Sequence, residues 1–412
     1  MRFTRQDPSF LTKWFFEIDR SVLVAVLLLT LAGLLTLVPA GSNLPPLYFL
    51  LKFLPHLFLG LTALFIFSNL SPKWIKRISI VLGIAFALLT IATILPPINP
   101  DKVKGSYRFL KFLGIMPSEF LKPFFIVITA SFLAHISQFS PAHFFSNKKL
   151  WHLPFLGSKV PFAGEGVPAG RGSGNRMPEG ISESLPEHFL NTSQPSPLFT
   201  WPLYLLFALP PLLAMFLQPD FGMTLIYCAV FASMLFFAGT SWKSIAASVP
   251  VAAVIGALAF FTMPHVRARL LGLSDPFQIN RALDSIRNGG MFGQLSSSFV
   301  KSNLPDAHTD FVFASFLEDY GLVIGLLLLA LFFWLIFHLL DRMKKSKDTE
   351  TKLILGGTAA LLGTQMFLNI GTTLNLGFTK GTVLPFISYG GSAYVAMCIM
   401  IGIVLSVLRK NN

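Results

Sequence analysis

Apolar positions along the chain gather into ten runs of about twenty residues, the length that crosses a bilayer as a helix, with polar residues between them. The runs lie at about 21–40, 47–70, 78–95, from 116 onward, 201–217, 223–239, 244–263, a long run ending near 340, 353–374, and from 392 to the C-terminal basic residues. Two long polar excursions interrupt them. Residues 138–200 are rich in Pro, Gly and Ser and predict a flexible loop without a core of its own. Residues 264–310 form the longest polar excursion between two unambiguous runs. The pattern predicts an all-α polytopic membrane protein: one transmembrane domain over 1–412, about ten spans, and a large extracytoplasmic loop between spans seven and eight.

Composition agrees, with 53% hydrophobic residues, 12% charged residues and a mean hydropathy of +0.65 over 412 residues. A formal charge of +13 would suggest nucleic acid in a soluble chain. Here the basic residues flank the apolar runs, where they meet lipid phosphates, and no nucleic-acid partner is expected. The turns after spans two and eight and the C-terminus are rich in Lys and Arg, and the turn after span one has none. Both termini are therefore predicted to be cytoplasmic. The 138–200 loop then lies in the cytoplasm, and 101–114, 218–222, 264–310 and 378–391 converge on the outer face. That face breaks the charge rule, because Arg267, Arg269, Arg281, Arg287 and Lys301 sit in its large loop and four more basic residues follow span three. Misplaced cations call for an anion. A lipid-linked phosphate or pyrophosphate suits the planar fork of Arg; attraction to anionic headgroups is the alternative. Cys228 and Cys398 lie inside apolar runs and read as small hydrophobes.

Candidate chemistry concentrates at 304–321, where polar residues press against span eight. Thr309 reads as a helix N-cap with Asp310 in the first helical position, where free N–H groups favour a carboxylate. Capping alone would account for Asp310. Glu318 and Asp319, about two turns further in, are harder to dismiss, because ionisable groups at that depth are functional suspects. Ser118 reads as the N-cap of span four, with Glu119 and Lys122 paired on one face at i, i+3. Pro219 ends one helix and Asp220 can cap the next. Gln365 and Asn369 in span nine suit hydrogen bonds between helices.

Gly105-Ser106-Tyr107-Arg108-Phe109 leading to Pro117-Ser118-Glu119 and Lys122, then Gln218-Pro219-Asp220-Phe221-Gly222, resemble the signatures of the SEDS family (shape, elongation, division, sporulation). So do Leu304-Pro305-Asp306-Ala307-His308-Thr309-Asp310-Phe311 and Leu384-Pro385-Phe386-Ile387-Ser388-Tyr389-Gly390-Gly391-Ser392, in the same order along spans three to ten. Ala307 before His308 and Thr379-Lys380-Gly381 look more like the division members than the elongation members. The resemblance implies a peptidoglycan glycosyltransferase of the bacterial cytoplasmic (inner) membrane. Such a protein polymerises lipid II, with a class B penicillin-binding protein as crosslinking partner and other divisome or elongasome membrane proteins and lipids around it. Asp310 matches the family's essential carboxylate; Arg108, Glu119 and Lys122 match polar positions of its central cavity.

On that basis Asp310 is expected to act as general base on the acceptor hydroxyl. Arg108 and Lys122, then Arg267 and Arg281, would neutralise the departing pyrophosphate, and His308 would contact sugar or phosphate. No ligand cluster calls for a metal, although a divalent cation could share the neutralisation. Glu318 reads as a supporting group. A lipid II flippase would want a similar cationic cavity, and a scaffold for cell-wall enzymes needs no base at all.

Overall fold

In lipid, a long apolar segment satisfies its backbone groups as a helix, and the computed structural model places helices where the apolar runs lie. It describes residues 10–37, 47–95, 108–110, 114–138, 197–218, 220–239, 261, 267, 276–294, 304–376 and 382–410. These residues form α1 (Phe10–Glu17), α2 (Arg20–Leu37), α3 (Tyr48–Asn69), α4 (Pro72–Ala92), α5 (Pro117–Gln138) and α6 (Pro197–Leu217). The series continues with α7 (Phe221–Phe237), α8 (Pro276–Gly289), α9 (Val312–Lys345), α10 (Thr349–Thr373) and α11 (Gly391–Lys410). Seven of them, α2 to α5 and α9 to α11, are long and apolar enough to cross a membrane, and α6 and α7 contain shorter apolar helices. Together they account for nine of the ten expected spans. The seventh span, except Phe261, lies outside the described residues. So do 139–196 of the loop after α5, 105–107, Pro219, Arg269, Lys301 and Lys380.

Two helices were not evident in the hydropathy pattern. The first, α1, lies in the polar N-terminal stretch and packs beneath α3, with Trp14 Nε1 donating to Ser68 Oγ at 2.8 Å. The second, α8, lies inside the large polar loop and packs against α9. Both are short or amphipathic, so neither raises mean hydropathy enough to register as a span.

The bundle is built around α5, α10 and α11, whose apolar windows are 78%, 72% and 83% buried, against 17% and 28% for α3 and α4. The outer helices show lipid-facing residues such as Phe58, Val81 and Leu327. Small residues let the inner helices approach closely. Gly357 lies where a Cβ would be 3.0 Å from both Ile126 of α5 and Met234 of α7. A Cβ on Gly33 of α2 would collide with the carbonyl oxygen of Phe386.

At the end of the bundle away from Asp310, Asp19 caps α2 by accepting from Ser21 N (3.1 Å) and Val22 N (3.3 Å). The same buried carboxylate meets His338 (3.1 Å) and Arg342 (2.7 Å) of α9. Burial alone would raise its pKa. The hydrogen bond and charge of His338, the charge of Arg342 and the Val22 N–H outweigh burial and hold the carboxyl below the ordinary value. A depressed carboxyl contributes stability above its unfolded pKa of about 3.9 and loses it as pH falls through the folded value. Asp19→Asn should therefore lower the thermal midpoint in detergent at pH 7, by on the order of 1–3 kcal/mol of stability. The deficit should persist to about pH 5 and close only below about pH 4; one that had vanished by pH 6 would contradict the assignment.

Candidate functional site

Asp310 lies in a turn spanning 305–311, and the helix behind it starts later than expected. The cap of α9 is Phe311, which offers no side-chain cap, and the first helical residue is Val312. Thr309 is therefore not the N-cap, and Asp310 is not in the first helical position. The turn closes on itself instead: the N–H groups of Thr309 (3.0 Å) and Phe311 (3.2 Å) both donate to the carbonyl of Asp306, a residue held at φ 54.

Three successive carbonyls of this turn are taken by donors from the α10 side of the bundle. Tyr389 N donates to His308 O at 2.7 Å, Ser388 Oγ to Thr309 O at 2.8 Å, and Asn369 Nδ2 to Asp310 O at 3.1 Å. Ser388 Oγ also accepts from Leu384 N at 2.7 Å, and Asn369 Nδ2 also reaches Thr382 O at 2.6 Å. On the other side an apolar cluster of Ala282, Leu304, Ala307, Phe311 and Ala314 joins α8 to the turn. Asp310 itself is half-buried. The His308 ring packs 4.1 Å from that of Phe49, so its side chain is committed at least partly to α3.

A second polar group lies on α5 and the start of α7. Arg108 is positioned by a tight reversal in which Leu110 N donates to Ile115 O (3.0 Å) and Gly114 N to Leu110 O (2.8 Å). Its Nε is 3.3 Å from Asp220 Oδ2, and Asp220 also caps α7 through Met223 N at 3.4 Å, as the sequence suggested. Lys122 and Glu119 form an ion pair that is almost wholly buried. Ser118 is inside α5 rather than capping it, because the helix begins at Pro117; its carbonyl accepts from Tyr227 OH at 2.7 Å. Gln218 Nε2 donates to Thr90 O (2.9 Å) and to Thr93 Oγ1. Burying a paired Lys and Glu inside a span is costly, and the single removal of either partner strands the other charge.

Two contacts join the groups. A Cβ on Gly222 would lie 3.1 Å from Thr382 Cγ2, and the carbonyl of Thr382 shares Asn369 with that of Asp310. Met116 N, just before α5, donates to Ser392 Oγ at the start of α11 at 3.2 Å. Arg108, Glu119 and Lys122 thus belong to the end of the bundle that carries Asp310. Arg281 lies on α8 with its guanidinium over the Phe277 ring at 5.2 Å, next to the Ala282 contact with the Asp310 turn. Arg267 is exposed, and its chain neighbours lie outside the described residues. Among the described residues no group of three or more His, Cys, Asp and Glu side chains is placed to hold a metal ion.

Glu318 is wholly buried and supports rather than lines the site. Its carboxylate accepts from Ser285 Oγ and from Asn288 Nδ2 (2.8 Å), tying α8 to α9. Just beyond, Gly321 (φ 79, ψ 173) breaks α9. The 289–294 segment enters the break: Gln294 N donates to Glu318 O (2.7 Å), Leu322 N to Gly290 O (3.0 Å) and Val323 N to Met291 O (3.2 Å). Only glycine fits at Gly321, where a Cβ would collide with Gly293 N and the φ is left-handed.

Sequence reasoning found the residues of both groups but not the clamp on the Asp310 carbonyls. Asn369 read as an interhelical hydrogen bonder, whereas it holds two loop carbonyls. A buried Asn on the span preceding a Pro- and Gly-broken stretch was the available signal.

A family described as "Cell cycle protein", designated by FtsW, RodA and SpoVE, matches residues 187–412. A curated protein of Caulobacter vibrioides is 30% identical over 425 residues, spanning 99% of this chain and 93% of its own length. One from Coxiella burnetii is 29% identical, spanning 96% of this chain and 97% of its own. Both are called "Probable peptidoglycan glycosyltransferase FtsW". The rod shape determining protein RodA of Thermus thermophilus superposes with a TM-score of 0.61 at 21% identity, over 95% of this chain and 97% of that one. A chain from "Structural coordination of polymerization and crosslinking by a peptidoglycan synthase complex" gives 0.68 at 21% identity, over 95% and 98%. At that identity both likenesses concern the fold.

Asn369→Leu should strand two carbonyls at about 1–3 kcal/mol each. The expected readouts are a lower thermal midpoint and faster amide hydrogen exchange confined to the Asp310 turn; unchanged exchange there would remove Asn369 from the clamp.

Proposed function

The chain belongs to the FtsW, RodA and SpoVE family of cell cycle proteins, and from that premise we propose that it is a peptidoglycan glycosyltransferase of the division type, polymerising lipid II with Asp310 as general base. The observation that carries the site assignment is the clamp on the His308, Thr309 and Asp310 carbonyls. Such a clamp holds the backbone of one acidic residue while leaving its side chain half-exposed. A base must be held to a fraction of an ångström relative to the proton it removes.

In this reading the 4-hydroxyl of the acceptor GlcNAc attacks C1 of the donor MurNAc and its proton passes to Asp310. The new β-1,4 bond forms with inversion as the bond from C1 to the phosphate oxygen breaks, and undecaprenyl pyrophosphate leaves with the electron pair. Arg108 and Lys122 offset the charge that develops on the leaving group. Each is held in reserve by a carboxylate, Asp220 and Glu119. Arg281, on the helix that packs against the Asp310 turn, is the next candidate, and Arg267 and His308 would extend the polar rim. A divalent cation could share the load on the pyrophosphate.

The orientation with both termini cytoplasmic is supported by the basic residues at the end of the bundle away from Asp310, where Lys76, Arg77, Arg342, Lys344, Lys345 and Arg409 gather. It puts Asp310 at the outer face, where a class B penicillin-binding protein would crosslink the product. The 138–200 loop would then face the cytoplasm and 264–310 the exterior.

The decisive measurement is glycan formation from labelled lipid II by the purified chain with its transpeptidase partner in vesicles. Asp310→Ala and Asp310→Asn should each lower the initial rate by about 10²–10⁴-fold. An Asp310→Ala variant that polymerised at the wild-type rate would end the reading. A wild type that moved lipid II across the vesicle without ever polymerising it would be a flippase instead.

A further inference from the structure

Helix α10 carries two buried carboxamides and uses only one. Asn369 clamps the Asp310 turn through Nδ2. Gln365, one turn deeper and wholly buried, has a partner for neither Nε2 nor Oε1 among the described residues. An unsatisfied buried amide costs about 1–3 kcal/mol, which an apolar side chain of similar size would avoid.

Two contacts fix where this amide lies. Helices α5 and α10 run antiparallel, with Ser131 donating to Glu350 and Ile126 packed on Gly357. Eight residues beyond Gly357 the helix has risen about 12 Å, which brings Gln365 level with Ser118 and Glu119. Its direction follows from the same helix. Gly356 meets Phe237 and Met343, on α7 and α9, whereas Gly357 meets Ile126 and Met234, on α5 and α7. One further step of the helix turns Thr358 toward α5 and α11, and Gln365 and Asn369 repeat that face at seven and eleven residues. Among the described residues, Ser118 Oγ, at the same level of α5, and Asn369 Oδ1 have no partner either. The nearby cations are each balanced, Lys122 by Glu119 and Arg108 by Asp220.

We propose that Gln365 is a substrate-binding residue beneath the Asp310 turn, its carboxamide pairing with a hydroxyl or amide group on the glycan of the lipid-linked substrate. The inference rests on the reading of the chain as a lipid II polymerase and assigns a division of labour within it. Arg108 and Lys122 serve the phosphates, and an uncharged donor and acceptor serves a neutral sugar substituent. A site built to pair with such a group loses affinity when the pair is removed.

The test uses Gln365→Leu in the full chain with its partner in vesicles. The expected result is a thermal midpoint equal to or above wild type, a KM for labelled lipid II raised about ten-fold, and a kcat within about two-fold. Binding is read separately in the Asp310→Ala background, where lipid II should raise the midpoint and the added Gln365→Leu should abolish that shift. A wild-type KM with an undiminished lipid II shift would leave Gln365 hydrated only and overturn the proposal. A lowered midpoint without ligand would make Gln365 a packing residue and overturn it too. If wild type made no polymer but the shift still depended on Gln365, the reaction reading would fall and the binding residue would stand.

Discussion

Three consecutive carbonyls, those of His308, Thr309 and Asp310, are each held by a donor that comes from α10 or from the broken backbone between α10 and α11. The turn carrying Asp310 could not hold its shape alone. Asp306 sits at positive φ, and α9 begins without a side-chain cap. Backbone of this kind persists where its surroundings over-determine it. The donors are themselves fixed in turn. Asn369 is fully buried on one of the three innermost helices, and Ser388 belongs to a turn whose Phe386, also at positive φ, lies against the backbone at Gly33 of α2. The bundle's innermost packing and the placement of one carboxylate are therefore a single problem.

Charge follows a related rule. The cations nearest the site are not left bare in a low-dielectric interior; Lys122 is matched by Glu119 and Arg108 by Asp220. A buried pair of this kind contributes little net stability compared with an apolar pair of the same volume. In the proposed reading, each pair is a reserve of positive charge that an anionic ligand draws on. In the same reading, the neutral polar atoms of Gln365 and Ser118, and of Asn369 one turn above, extend that logic to uncharged parts of a ligand.

Glu318 shows how a group that looks catalytic on charge and depth alone can be structural. It binds Ser285 and Asn288 and so fastens the amphipathic helix α8 beside the break at Gly321. Since α8 also packs on Ala307, Phe311 and Ala314, the break in α9 and the Asp310 turn share one support. Displacement of α8 would be felt at both.

Much of this was legible in the residues. Span positions follow from apolar runs because lipid leaves a segment of that length little choice but a helix. The Glu119–Lys122 pair followed from i, i+3 spacing, and Asp220 as a cap from the preceding Pro. Local capping was legible only in part, since neither Ser118 nor Thr309 holds the cap position, and α1 and α8 were too amphipathic to stand out. The sequence by itself determined a polytopic helical bundle and the short set of polar residues at one end of it, because hydropathy and helix periodicity are local properties. Only the tertiary structure decided that Asn369 and Ser388 grip the Asp310 turn, that Glu318 faces α8, and that Gln365 lies level with Ser118 and Glu119. Those relations join residues tens to hundreds of positions apart, and they depend on close approach of distant segments, as at Gly33, Gly321 and Gly357, which local pattern does not encode.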